Sequence, residues 1–144
     1  MMGGLSGIML LVMSGIFSSA NCQNAGALFD SIGQSDIPTI RQYLVAGGDP
    51  NCRSSDGDVP LVAAVKSKNV NILDLLLSYN ANPNLTDAGA SPLYYAVLFD
   101  CEECAKILLK KDARVIADAG QIEYLKKFEF FRVSKFWHEI LAIK

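Results

Sequence analysis

The chain has 144 residues, half of them hydrophobic, and a formal net charge of −2. That length fits one domain. The small negative charge excludes a general attraction to nucleic acid or to an anionic membrane surface, and the basic residues form only pairs, Lys110–Lys111 and Lys126–Lys127.

Residues 1–20 carry no charged side chain, and Leu5 to Phe17 is a mainly apolar run. That run is too short to span a bilayer comfortably. Ser18-Ser19-Ala20 then offers small residues before a cleavage point after Ala20. The segment reads as a secretory signal peptide, so the expected location is exported, periplasmic first and secreted second. Met1 to Gly4 holds no Lys or Arg, which leaves an uncleaved anchor or a misassigned start open. Cys22 raises lipidation, but Asn21 stands where a lipobox wants Gly, Ala or Ser. The remaining chain, 21–144, holds Cys22, Cys52, Cys101 and Cys104. An even number in an exported chain permits two disulfides, and four unpaired small side chains are the other reading.

Three segments repeat: Leu28 to Asn51, Val59 to Asn84 and Ser91 to Val115. Pro60 and Pro92 lie 32 residues apart, and Gly48-Asp49-Pro50-Asn51 and Ala81-Asn82-Pro83-Asn84 lie 33 apart. Such a period marks a repeat architecture. Each unit reads as two short helices. Pro60 suits a first helical turn, and Leu61, Ala64 and Val65 fall on one face. After a break near Lys68 and Asn69, Ile72, Leu75 and Leu76 form a second apolar face. Asn80 suits a left-handed helix end, and Ser55, Asp56 and Gly57 supply turn chemistry between units. In the third unit Asp100 is expected as an N-cap, with Glu103 completing a capping box and Ile107, Leu108 and Leu109 as the buried run.

These residues resemble the ankyrin repeat. Val59-Pro60-Leu61 and Ser91-Pro92-Leu93 stand where that family has Thr-Pro-Leu. Val62 and Tyr94 replace its usual His. Leu75-Leu76-Leu77 and Ile107-Leu108-Leu109 match its leucine run, and Gly47-Gly48-Asp49-Pro50-Asn51 is close to its Gly-Ala-Asp-x-Asn ending. The resemblance covers roughly residues 27–120. The first unit lacks the Thr-Pro-Leu start, as suits an N-terminal cap. Residues 122–143 read as helix broken near Arg132–Ser134, with Phe128, Phe131, Phe136 and Trp137 sealing the stack. The expected fold is all-α, a solenoid of about four helix-turn-helix units: 25–53, 54–86, 87–117 and a divergent helical cap, 118–144.

A catalytic constellation is hard to assemble. His138 is the single histidine, in an apolar C-terminal helix, and the acidic residues are scattered. No metal-ligand spacing, catalytic residue or cofactor is expected. Cys101-Glu102-Glu103-Cys104 is the one sharp motif. At a helix N-terminus the dipole favours thiolate, while the two glutamates oppose it. A local disulfide, free thiols and redox chemistry all stay open for this pair. Cys22 with Cys52 is the second candidate pair, a staple for the N-terminal unit.

The resemblance implies a protein-binding surface of turns and first helices. Mapped onto this chain, the turn positions are Asp56, Asp58, Ala88, Ala90 and Gln121. The helix positions are Lys66, Ser67, Tyr95, Leu98 and Phe99. Asp56 and Asp58 form a small acidic patch offset by Lys66. Leu98 and Phe99 are large and apolar at exposed family positions, which suits interface anchors or extra core. The expected role is non-catalytic: a chain monomeric when free, binding one protein partner, such as a delivered toxin that it neutralises or an exported enzyme that it protects. A secreted effector acting on host proteins, a thiol-redox protein using Cys101 and Cys104, and a structural envelope component are the competing readings.

Overall fold

A computed structural model describes Cys22 and residues 24–142, without the Phe130 side chain. The expected signal peptide, residues 1–20, lies outside the described residues. Among the described residues there are nine helices: α1 Ala25–Gly33, α2 Ile37–Val45, α3 Pro60–Lys66, α4 Val70–Ser78, α5 Pro92–Leu98, α6 Glu102–Leu109, α7 Ala119–Leu125, α8 Glu129–Val133 and α9 Lys135–Ala142. No described residue forms a strand beyond an isolated antiparallel bridge between Asp87 and Ala90.

The helices pair as α1–α2, α3–α4 and α5–α6. First helices stack on first helices, α1 on α3 on α5, and second helices on second helices, α2 on α4 on α6. One continuous core runs through the stack, with Leu28, Ile40, Leu61, Ile72, Leu76, Leu93 and Leu108 all fully buried. Val62 is buried too, so α3 buries more than one stripe. No unit could bury these faces alone, which is why a stack forms.

The backbone repeats with the sequence. The corners between paired helices carry a left-handed residue in every unit: Ser35 (φ 58°), Lys68 (φ 54°) and Asp100 (φ 52°). The second helices end on Gly47 (φ 89°), Asn80 (φ 64°) and Asp112 (φ 59°). Gly57 and Gly89 occupy matching left-handed positions in the turns between units. The residue after each corner caps the next helix. Asp36 Oδ1 accepts the Thr39 N–H at 3.2 Å, and Asn69 Oδ1 accepts the Ile72 N–H at 3.1 Å.

The third corner corrects the expected capping box. Asp100 is the left-handed corner residue, and Cys101 is the cap, its sulfur accepting the Cys104 N–H at 3.3 Å. The register of the two preceding corners requires this. The Asp100 carboxylate instead accepts the Trp137 indole N–H at 2.8 Å. Trp137 is fully buried, Phe131 is buried, and Phe128 and Phe136 pack against the core half-buried, so the aromatic residues close the stack. In α6 only Leu108 of the leucine run is fully buried, because Ile107 and Leu109 lie at the margin of the buried face. The C-terminal helix breaks at Ser134, between α8 and α9.

Candidate partner-binding surface

The turn between the first two units is built on Ser54. Its Oγ accepts the N–H groups of Asp56 and Asp58, at 3.2 and 3.0 Å, and reaches the Asp58 carboxylate at 3.2 Å. Arg53 secures this turn to the next one, donating to the carbonyls of Gly57 and Thr86 at 2.9 Å each. The guanidinium fork suits two acceptors at once. Asp56 is left exposed at the tip.

The second turn closes through the Asp87–Ala90 bridge, and Ala88 stands exposed at its tip with φ 47°. Lys66, at the end of α3, forms an ion pair with Asp87 at 3.1 Å. Its ammonium lies 4.7 Å from the centroid of the Tyr95 ring, and the Tyr95 hydroxyl donates to the Asp87 carbonyl at 3.1 Å. Burial, then the Asp87 charge, raises the Tyr95 hydroxyl above its ordinary pKa. Asp58, Ala63, Lys66, Ser67 and Asp87 line an open cleft of about 420 Å³. Turn and first helix therefore form one continuous face here.

The structure sorts the expected contact residues by what the fold already uses. Asp56 and Lys66 are exposed, as is Ser67, whose hydroxyl donates to the Ala64 carbonyl at 2.9 Å. Asp58 is half-buried beside them. Ala90 and Tyr95 correct the expectation, because both are buried: Ala90 in the turn bridge, Tyr95 under Lys66 and against Tyr94. Gln121 is half-buried and is committed to the fold. It forms a capping box with Asp118, and its Nε2 donates to the Ala88 carbonyl at 3.2 Å. Leu98 and Phe99 are half-buried and pack on the core, at the end of α5.

Several polar residues that organise this face were not among the expected contact residues. Ser91 is fully buried. Its hydroxyl donates to the Arg114 carbonyl at 2.7 Å and accepts the N–H groups of Ile116 and Tyr94. Asn51 Oδ1 accepts the Asn82 N–H, and Asn84 Oδ1 accepts the Arg114 N–H, both at 2.7 Å. Each asparagine thus fixes the start of the next turn. Their recurrence at the end of each unit was the available signal.

The structure brings the cysteines together as the two candidate pairs, with Cα–Cα separations of 5.5 Å for Cys22 with Cys52 and 5.3 Å for Cys101 with Cys104. Cys22, Cys52 and Asp49 also bring three potential metal-ligand atoms within 4.8 Å of one another. The Asp49 carboxylate accepts the Asn51 N–H at 2.8 Å, within the turn that brings these residues together. His138 is exposed, its Nδ1 2.8 Å from the Ser134 carbonyl and its ring stacked on Phe131.

Stacked helix pairs joined by hydrogen-bonded turns define an all-α repeat solenoid. The family model for ankyrin repeats, in three copies, matches residues 28–119, more than half of the chain. The chain belongs to the ankyrin-repeat family, and that domain is a non-catalytic fold for protein–protein interaction. Among similar proteins, an ankyrin repeat-containing protein of Treponema pallidum (strain Nichols) is 40% identical over 75 residues, covering 51% of this chain and 25% of its own length. An ankyrin repeat protein of fowlpox virus (strain NVSL) is 31% identical over 85 residues, 58% of this chain and 11% of its own. An L-asparaginase of Dirofilaria immitis is 32% identical over 81 residues, 56% of this chain and 14% of its own. The chain spans a quarter or less of these relatives. No described helix is long and apolar enough to cross a membrane.

Proposed function

We propose that this chain is an exported binding module, stapled by Cys22–Cys52 and Cys101–Cys104 disulfides, that holds one protein partner on its turn and first-helix face. The carrying observation is that Asp56, Ala88 and the cleft between Asp58, Lys66 and Asp87 present one continuous surface whose tips the fold leaves exposed. Internal bonds hold the turns, so the surface is preformed and little ordering cost falls on binding. The favoured role is neutralising a toxin delivered into the same compartment, with protection of an exported enzyme as its near alternative.

Redox catalysis through Cys101 and Cys104 fits less well. Cys104 is completely buried and Cys101 is 7% exposed, which leaves room for a small reductant at Cys101 but not for repeated turnover on a protein substrate.

The test is capture of a partner from extract of the source organism by wild-type chain and by an Asp56→Arg/Ala88→Arg variant. Both substitutions sit at exposed tips, so the melting temperature should hold while capture is lost. Equal capture by the variant places the binding surface elsewhere.

A further inference from the structure

We propose that the Cys101–Cys104 pair is a reversible dithiol/disulfide site that sets how firmly the C-terminal cap is held. At the first two corners a side-chain oxygen, from Asp36 or Asn69, accepts the N–H three residues on and so anchors the first turn of the second helix. At the third corner the capping atom is the Cys101 sulfur. Sulfur is a weak acceptor. The residue three positions on is Cys104, the other member of the pair. The covalent link therefore joins the same two positions that the hydrogen bond joins in the other units.

This corner carries something the others do not. Asp100, the residue before the cap, holds the indole of Trp137 from 37 residues away, and Trp137 is the fully buried anchor of α9. Phe99, Asp100 and Cys101 are fixed to α5 by N–H bonds to Tyr95, Val97 and Ala96. Cys101 is the shared residue, bonded to α5 through its N–H and capping α6 through its sulfur, so a loosened start of α6 pulls on the residue next to Asp100. Glu102 and Glu103 offer no substitute cap, for both lie inside the helix and are paired with Lys106.

The reductant is a dithiol. Its thiolate attacks the Cys101 sulfur, the less buried of the two, breaking the Cys101–Cys104 bond and forming a mixed disulfide on Cys101. The Cys104 sulfur leaves with the bonding pair and takes a proton. The second thiol of the reductant then displaces Cys101, which also ends as a thiol, and the reductant leaves as its disulfide. The reduced corner retains only the weak thiol cap.

Hydrogen exchange on the full chain, oxidised and after reduction with dithiothreitol, tests this, with thiol content checked by mass. Reduction should speed exchange across residues 119–142 by about tenfold or more while residues 60–98 keep their protection. Cys104→Ala should show the same loosening without reductant. Cys101→Asp/Cys104→Ala, which rebuilds the hydrogen-bonded cap of the first unit, should restore protection and make the cap indifferent to dithiothreitol. Unchanged exchange on reduction overturns the proposal. So does a rescue variant as loose as Cys104→Ala, because the bridge would then not be acting as a cap. A rescue variant still sensitive to reductant assigns the effect to Cys22–Cys52 and likewise overturns it. Partner binding plays no part in these readouts.

Discussion

Asp100 is predicted to hold the C-terminal cap in place, and three substitutions separate its two tasks. Its carboxylate accepts the buried Trp137 N–H at 2.8 Å, and its backbone sits at φ 52°. Removing the acceptor leaves a buried donor without its partner, at a cost of about 1–3 kcal/mol. A left-handed residue with a Cβ costs roughly 1–2 kcal/mol, which Asp and Asn offset by local hydrogen bonding and Gly avoids. Asp100→Asn keeps both an acceptor and left-handed tolerance, so it should stay within about 0.5 kcal/mol of wild type. Asp100→Gly loses only the acceptor, for about 1–3 kcal/mol. Asp100→Ala adds the backbone strain and should cost about 2–5 kcal/mol. Urea unfolding followed by far-UV circular dichroism gives the stabilities. Fluorescence of Trp137, the single tryptophan, reports its environment independently. Should Asp100→Ala prove no more costly than Asp100→Asn, the latch carries no stabilising load and the reasoning fails.

Three further outcomes follow from the same geometry. Gly48→Ala should destabilise by about 1–2 kcal/mol, because a Cβ there runs into the Tyr43 ring, whose hydroxyl bonds the Asp49 carbonyl at 3.2 Å. Combining it with Tyr43→Leu should cost less than the two single changes added, measured by a double-mutant cycle. Lys68→Gly should stabilise by roughly 0.5–1 kcal/mol, since relief at φ 54° outweighs the added freedom of the unfolded chain, and a lower urea midpoint would refute this. Burial raises the hydroxyl pKa values of Tyr43, Tyr94 and Tyr95 above the ordinary tyrosine value, so the unfolded chain ionises first. Stability should therefore hold below about pH 10 and fall as pH rises through the raised values, with a shallower fall in Tyr94→Phe, read as melting temperature against pH.

The all-α repeat fold was legible because it is written locally. Pro60 and Pro92 set the starts of first helices, the apolar spacing around Ile72 and Leu76 set the buried faces, and Gly57 and Asn80 set left-handed turns. Each signal needs only the few residues around it. The candidate surface was legible in outline through the resemblance to the ankyrin repeat, which places Asp56, Lys66 and Ala88 in turns and at helix ends. Which of those positions stay exposed was not. Tyr95 and Ala90 share the period of contact residues, yet both are buried, one beneath Lys66 and the other in the Asp87 bridge.

The sequence by itself determined the repeat length, the helix pairs, the spacing of the cysteines and the aromatic character of the C-terminal cap. Only the tertiary structure decided that Asp100 serves Trp137 rather than α6, that Cys101 caps in its place, and that Ser91 joins one unit to the next. The physical reason is the reach of each interaction. Apolar periodicity records which face of a helix leaves water, and short-range dihedral preference records where the chain turns. The period shows that Asn51 and Asn84 recur, but which backbone group, 25 to 31 residues away, Asn51, Asn84 or Ser91 satisfies is fixed only once the units are stacked.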